Sequence, residues 1–81
     1  MSSELDALTS FIRDEIGFAG DLDPEKDLLD SQILDSFNIV QLAAFVQQHF
    51  GIELDAEDLV RANLSTLASI AALVRRKLAG S

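Results

Sequence analysis

The 81-residue sequence contains no cysteine. Disulfide staples, thiolate metal sites and a cysteine nucleophile are therefore excluded. A reducing compartment fits, and the cytoplasm is the expected location. Basic residues are scarce: six lysines and arginines stand against fourteen acids, for a formal net charge of −8. Nucleic acid and anionic membrane surfaces repel such a chain, so neither is expected as a partner. No apolar run approaches the roughly 20 residues that span a bilayer. Met1-Ser2-Ser3-Glu4 lacks the basic stretch and apolar run of a signal peptide, so none is expected. Strand signals are also missing, with no long alternating run and no Asn-Gly or Asp-Gly hairpin pair. There are no internal repeats and no low-complexity tract.

What remains is the composition of a folded domain, 48% hydrophobic and 25% charged. The length allows one domain, spanning residues 1–81, with a thin core. A compact helical bundle is easier to stabilise at this size than a large sheet. The charge is uneven. Ten of the fourteen acids fall in residues 1–35, none in residues 36–50, and the tail carries only Arg75, Arg76 and Lys77. Two readings of that basic end stay open: complementing a helix dipole, or binding a partner.

Leu5, Leu8, Ile12 and Ile16 recur at spacings of three and four, which predicts a helix over about 3–16. Ser2 or Ser3 can cap its start and Gly17 can stop it. Residues 17–35 break the period with Gly17, Gly20, Pro24 and a series of aspartates. A loop this long inside a small domain is often functional. Phe18, Leu22, Leu28, Leu29, Ile33 and Leu34 are spread through it and should pin it to the core. A second helix is expected over about 36–50, capped by Asp35 or Ser36 and ended by Gly51. Ile39, Leu42, Ala43, Val46 and Phe50 share one face of it. Phe37, Val40, Gln41, Ala44 and Gln48 share another, partly apolar and uncharged. Asp55 to Val60 reads as a short acidic helix. A last helix starts near Ser65 or Thr66, carries Leu67, Ile70, Ala71, Val74 and Leu78 as its stripe, and ends at Gly80.

Three candidate chemistries follow. Asp21, Asp23, Glu25 and Asp27 alternate like the start of a calcium loop. Lys26 then occupies the place of the required glycine and Gln32 that of the bidentate glutamate, so an EF-hand is not expected. His49, the only histidine, suggests a base for Ser36. Thirteen helical positions separate them by roughly 20 Å, far beyond hydrogen-bond reach, which excludes that dyad. His49 reads instead as a surface residue near a helix end. The segment Leu34-Asp35-Ser36-Phe37 can be a simple helix cap. Its serine also stands where free N–H groups and the helix dipole favour a phosphate. An acid directly precedes it, in position to help hold a metal ion during phosphoryl transfer.

Asp35-Ser36-Phe37 resembles the Asp-Ser-Leu signature of acyl and peptidyl carrier proteins. Leu28-Leu29-Asp30-Ser31 before Ile33-Leu34 is similar to the family's approach to its modified serine. Phe50-Gly51-Ile52-Glu53-Leu54 resembles the exit from the family's second helix. Asp55 to Leu59 is similar to its short third helix, and Ser65-Thr66-Leu67 to the start of its fourth. The resemblance implies an all-α, four-helix carrier-protein bundle. It implies a 4′-phosphopantetheine arm from coenzyme A on Ser36, with Asp35 assisting its attachment. The arm would supply the thiol that the polypeptide lacks. The protein would not itself be an enzyme. A phosphopantetheinyl transferase, an acyl- or aminoacyl-loading ligase and downstream biosynthetic enzymes would be its partners, and the chain would act as a monomer.

The second helix departs from carriers of fatty acid synthesis, which usually present glutamates there. This chain has Gln41, Gln47 and Gln48 in that stretch, and Phe37 replaces the commoner leucine. The expected partner face is therefore Phe37, Val40, Gln41 and Ala44, an apolar patch with polar neighbours. The chain looks nearer to stand-alone aminoacyl or peptidyl carriers, including D-alanyl carriers, and to carriers of specialised acyl pathways. A carrier for type II fatty acid or polyketide synthesis is the alternative. A helical adaptor that binds a partner through the same face is the alternative outside the family.

Overall fold

The computed structural model describes residues 3–80, all of whose regular elements are helical. Helix α1 (Ser3–Phe11) continues as a π-helical segment, Ile12–Ile16. Ser3 is already helical, and a cap from Ser2 falls outside the described residues. Gly17 ends the segment in the left-handed conformation, with φ of 87°, and its N–H donates to the Ile12 carbonyl at 2.9 Å. That is an i→i+5 bond, the mark of a π turn. The apolar spacing of three and four persists through it, so spacing reports the buried face and not the hydrogen-bond register.

Helix α2 (Ser36–Phe50) has the expected bounds. Gly51 closes it at φ 69°, where a side chain would be strained. Of its expected face, Leu42 and Val46 are fully enclosed and Ile39 and Phe50 pack against the core; Ala43 is only half-buried, and Phe45, not expected there, packs on the core as well.

The third element is split. A 3-10 turn, Ala56–Asp58, is closed by a capping box in which Asp55 and Asp58 serve each other's backbone N–H. Leu59 and Val60 then leave helical geometry, and α3 (Arg61–Leu64) follows. The acids that read as one helix start are consumed by a single turn. Lys77 fixes that turn by pairing with Asp58 at 2.6 Å, and Asn63 donates to the Asp58 carbonyl at 2.9 Å.

Helix α4 (Leu67–Gly80) starts where the Thr66 hydroxyl accepts the Ser69 N–H at 3.0 Å. Leu67, Ile70, Ala71 and Val74 are buried as expected. Leu78 is half exposed, and Leu73 is buried in addition. The last turns run past the packed centre and lose its cover. The basic end lies near the C-terminal end of α4 and also makes contacts within the fold. Arg75 pairs with Glu4 at 3.3 Å, Lys77 with Asp58, and the Arg76 guanidinium donates to Asn63 at 3.3 Å.

The core joins Leu8, Ile12, Leu28, Leu42, Leu67 and Val74. Each fully buried side chain of this size contributes about 1.5–3 kcal/mol. Leu28 is a residue of the long first loop, and Leu22, Ile33 and Leu34 are buried beside it. Two backbone bonds reinforce this pinning: Leu28 N–H to Ser65 carbonyl at 2.6 Å, and Ala68 N–H to Pro24 carbonyl at 3.0 Å.

Candidate functional site

Two of the four alternating acids of the first loop, Asp23 and Asp27, serve its own backbone. The Asp23 carboxylate accepts the Glu25 N–H at 2.8 Å, and that of Asp27 accepts those of Leu29 at 3.0 Å and Asp30 at 2.8 Å. The Asp30 N–H, ahead of the other contacts, holds the Asp27 carboxyl below its ordinary pKa. Arg61 of α3 pairs with Asp30 across the surface. These bonds shape a turn that ends at Gln32, which adopts a positive φ of 63° without being glycine. The chain then drops Ile33 and Leu34 into the core, and the Leu34 N–H donates to the Leu28 carbonyl at 3.0 Å.

Asp35 comes next, extended at φ −125° and ψ −176°. Its carboxylate accepts the Asn38 N–H at 2.8 Å and caps α2. The Asn38 side chain reaches back to the Ile33 carbonyl at 3.3 Å. Two buried anchors and a reciprocal cap thus precede Ser36, which is exposed as the first residue of a 15-residue helix. The first N–H groups of a helix have no partner within it, and its dipole places partial positive charge there. A phosphate on the Ser36 hydroxyl fits this surroundings. One Asp35 oxygen is taken by the cap, and the other faces no protein donor among the described residues.

From Ser36 the exposed side of α2 continues through Phe37 and Val40, 71% and 68% exposed, to Gln41 and Ala44. All four expected partner-face residues lie on the surface of one helix, in a stretch without formal charge. Leu59 and Val60, just before α3, are further exposed apolar residues that the sequence reading assigned to a helix. The signal for them was an apolar pair directly after the acids of a capped turn.

His49 lies in the same unbroken helix as Ser36, thirteen positions on, so the two are roughly 20 Å apart along its axis. It is exposed, and its ring stacks on Phe45 at 5.0 Å.

No curated protein matches the chain. A solved chain, from a structure described as "Crystal structure of FAD-dependent dehydrogenase", is 32% identical with a TM-score of 0.74. The likeness covers 82% of this chain and 96% of that one. The family described as "Phosphopantetheine attachment site" matches residues 6–74, most of the helical bundle. The chain belongs to that family, the acyl and peptidyl carrier proteins, whose domain carries a covalently attached 4′-phosphopantetheine.

Proposed function

We propose that this chain is a stand-alone, non-catalytic carrier that bears its arm on Ser36 and presents aminoacyl or acyl groups to biosynthetic enzymes. The observation that carries this reading is the exposed Ser36 hydroxyl at the head of α2, directly after an Asp35 that caps the helix through one oxygen. In the attachment step the Ser36 oxygen attacks the phosphorus of coenzyme A's pantetheine phosphate. The bond to the adenosine bisphosphate breaks, and the serine proton passes to a base of the transferase. Asp35 would offer its free oxygen to a metal ion, which would balance phosphate charge. The arm ends in a thiol, which holds cargo as a thioester. Tethering then raises the local concentration of cargo at each partner enzyme.

Phe37, Val40, Gln41 and Ala44 are proposed as the face that these enzymes read. A glutamate-rich docking mode is absent from α2, which supports aminoacyl or specialised acyl cargo over fatty acid synthesis. A monomer in the cytoplasm suits this role. No helix among the described residues is long and apolar enough to cross a membrane.

The similarity to a chain from a flavin dehydrogenase structure supports one partner class. The matched chain is about as small as this one, since the likeness covers 82% of this chain and 96% of that one. An all-helical bundle that fills it leaves no room for a flavin-binding domain. We read the likeness as pointing to a FAD-dependent dehydrogenase that such a carrier serves. On a thioester cargo this enzyme would take a proton from the α carbon and a hydride from the β carbon. The products are an α,β-unsaturated thioester and reduced FAD.

The test is intact mass after incubation with coenzyme A and several phosphopantetheinyl transferases. A gain of one phosphopantetheine that vanishes in Ser36→Ala is expected. A gain that persists in Ser36→Ala overturns the site, and no gain with any transferase overturns the carrier role. Loaded carrier should bleach the flavin of a partner dehydrogenase, and Phe37→Asp should slow that bleaching without unfolding the chain.

A further inference from the structure

A second surface lies behind the face that carries Ser36. The end of α1, the π segment and the distal half of α2 enclose a groove of about 460 Å³. Phe11, Phe45 and His49 line it, walled by Asp14 and Glu15. The rings form a continuous array: Phe11 stacks on Phe45 at 4.7 Å, and Phe45 on His49 at 5.0 Å. Phe50 meets His49 edge-on at 4.8 Å. His49 is exposed at the rim of the groove.

Asp14 and Glu15 are exposed and make no ion pair with the described residues. No lysine or arginine lines the groove. Aromatic faces carry negative quadrupole charge, and stacked rings beside unpaired carboxylates attract a cation twice over. The backbone here is the π segment, a rare geometry that recurs at functional sites. The groove is also chemically unlike the neutral face of Phe37 to Ala44.

We propose that this groove is a second docking surface, taking a partner-protein helix that places an arginine or lysine beside an apolar side chain. The cation lies against the His49–Phe45 stack and pairs with Asp14 and Glu15, while the apolar neighbour packs on Ala7 and the half-buried edge of Phe45. His49 is roughly 20 Å along α2 from Ser36. A partner can therefore hold the protein here while the Ser36 end visits another active site, which turns successive encounters into intramolecular ones.

The test is an NMR titration of the full chain with a synthetic amphipathic helical peptide carrying arginine beside leucine. Amide shifts at Ser10, Asp14, Gln48 and His49 are expected, weakening with added salt. An Asp14→Asn/Glu15→Gln double variant should bind at least about fivefold more weakly. His49→Ala should also weaken binding with the fold intact. A peptide with glutamate in place of arginine should leave the spectrum unchanged. Shifts confined to Phe37–Ala44, equal binding by the double variant, or no shift at millimolar peptide would each overturn the proposal. So would concentration-dependent shifts of the same residues without peptide, which assign the groove to a second copy of this chain.

Discussion

The Asp35 carboxylate accepts the Asn38 N–H at 2.8 Å, and the Asn38 amide donates back past it to the Ile33 carbonyl at 3.3 Å. This reciprocal hold fixes the direction in which Ser36 leaves the loop. Under the proposed function Asp35 has two separable duties, capping and assistance in arm attachment. Asp35→Ala removes both and should lower stability by about 1 kcal/mol. Asp35→Asn keeps the cap, so its stability should change by only a few tenths of a kcal/mol. Both variants should slow the transferase reaction. Urea unfolding beside timed mass spectrometry checks this; an Asp35→Asn variant modified at full rate sinks the second duty.

Leu28 links the loop to everything around it. Its side chain is fully buried, its N–H donates to Ser65 and its carbonyl accepts from Leu34. Leu28→Ala should cost about 2–5 kcal/mol. Against a total of about 5–15 kcal/mol for a typical domain, that is a large fraction. Thermal unfolding measures the loss, and hydrogen exchange should show residues 28–34 opening first.

Gln32 sits at φ 63°, a region that costs a non-glycine L-residue about 1–2 kcal/mol. Gln32→Gly should therefore hold or raise stability by up to about 1 kcal/mol, the unfolded glycine's extra freedom offsetting part of the relief. Gln32→Val, branched at Cβ, should lose more than about 1 kcal/mol. Equal midpoints for the two variants would show that the turn does not need this conformation.

Stability should form a plateau with two edges in pH. The hydrogen bond from Lys77 holds the Asp58 carboxyl below its ordinary pKa, and Asp27 is held low chiefly by the Asp30 N–H. Their contribution is complete above the ordinary carboxylate range, about pH 4, and disappears as pH falls through the depressed values. Lys77 is raised, first by its hydrogen bond to Asp58. Its contribution is complete below about pH 10.4 and disappears as pH rises through the raised value. Asp58→Asn should flatten the alkaline edge and shallow the acid one, read as thermal midpoint against pH.

The parts that were legible in the sequence are those decided by neighbours in the chain. Asp35 and Gly51 mark the ends of α2 because a cap and a left-handed stop act over one turn. Most of the buried faces of α1 and α2 follow from spacing, Phe11 and Phe45 excepted, and the apolar residues scattered through the loop reported its burial correctly. The misses are long-range or concern register. Nothing in Ile12–Ile16 announces a π turn, since the same spacing suits an α-helix. Asp55–Val60 looks like a helix start because its capping box is also that of a single turn, one that Lys77 secures from nineteen positions away. The Phe11–Phe45–His49 stack joins two helices and is invisible to a one-dimensional period.

The bonds from Leu28 to Ser65 and from Pro24 to Ala68 join positions 37 and 44 residues apart. On a growing polypeptide, the segment leading to Ser36 is made long before the residues that fasten it. The loop has nothing to close against until residues 65–68 have emerged from the ribosome. Under the proposed function, the modifying enzyme should therefore meet a fastened Ser36 only after the last helix has been synthesised.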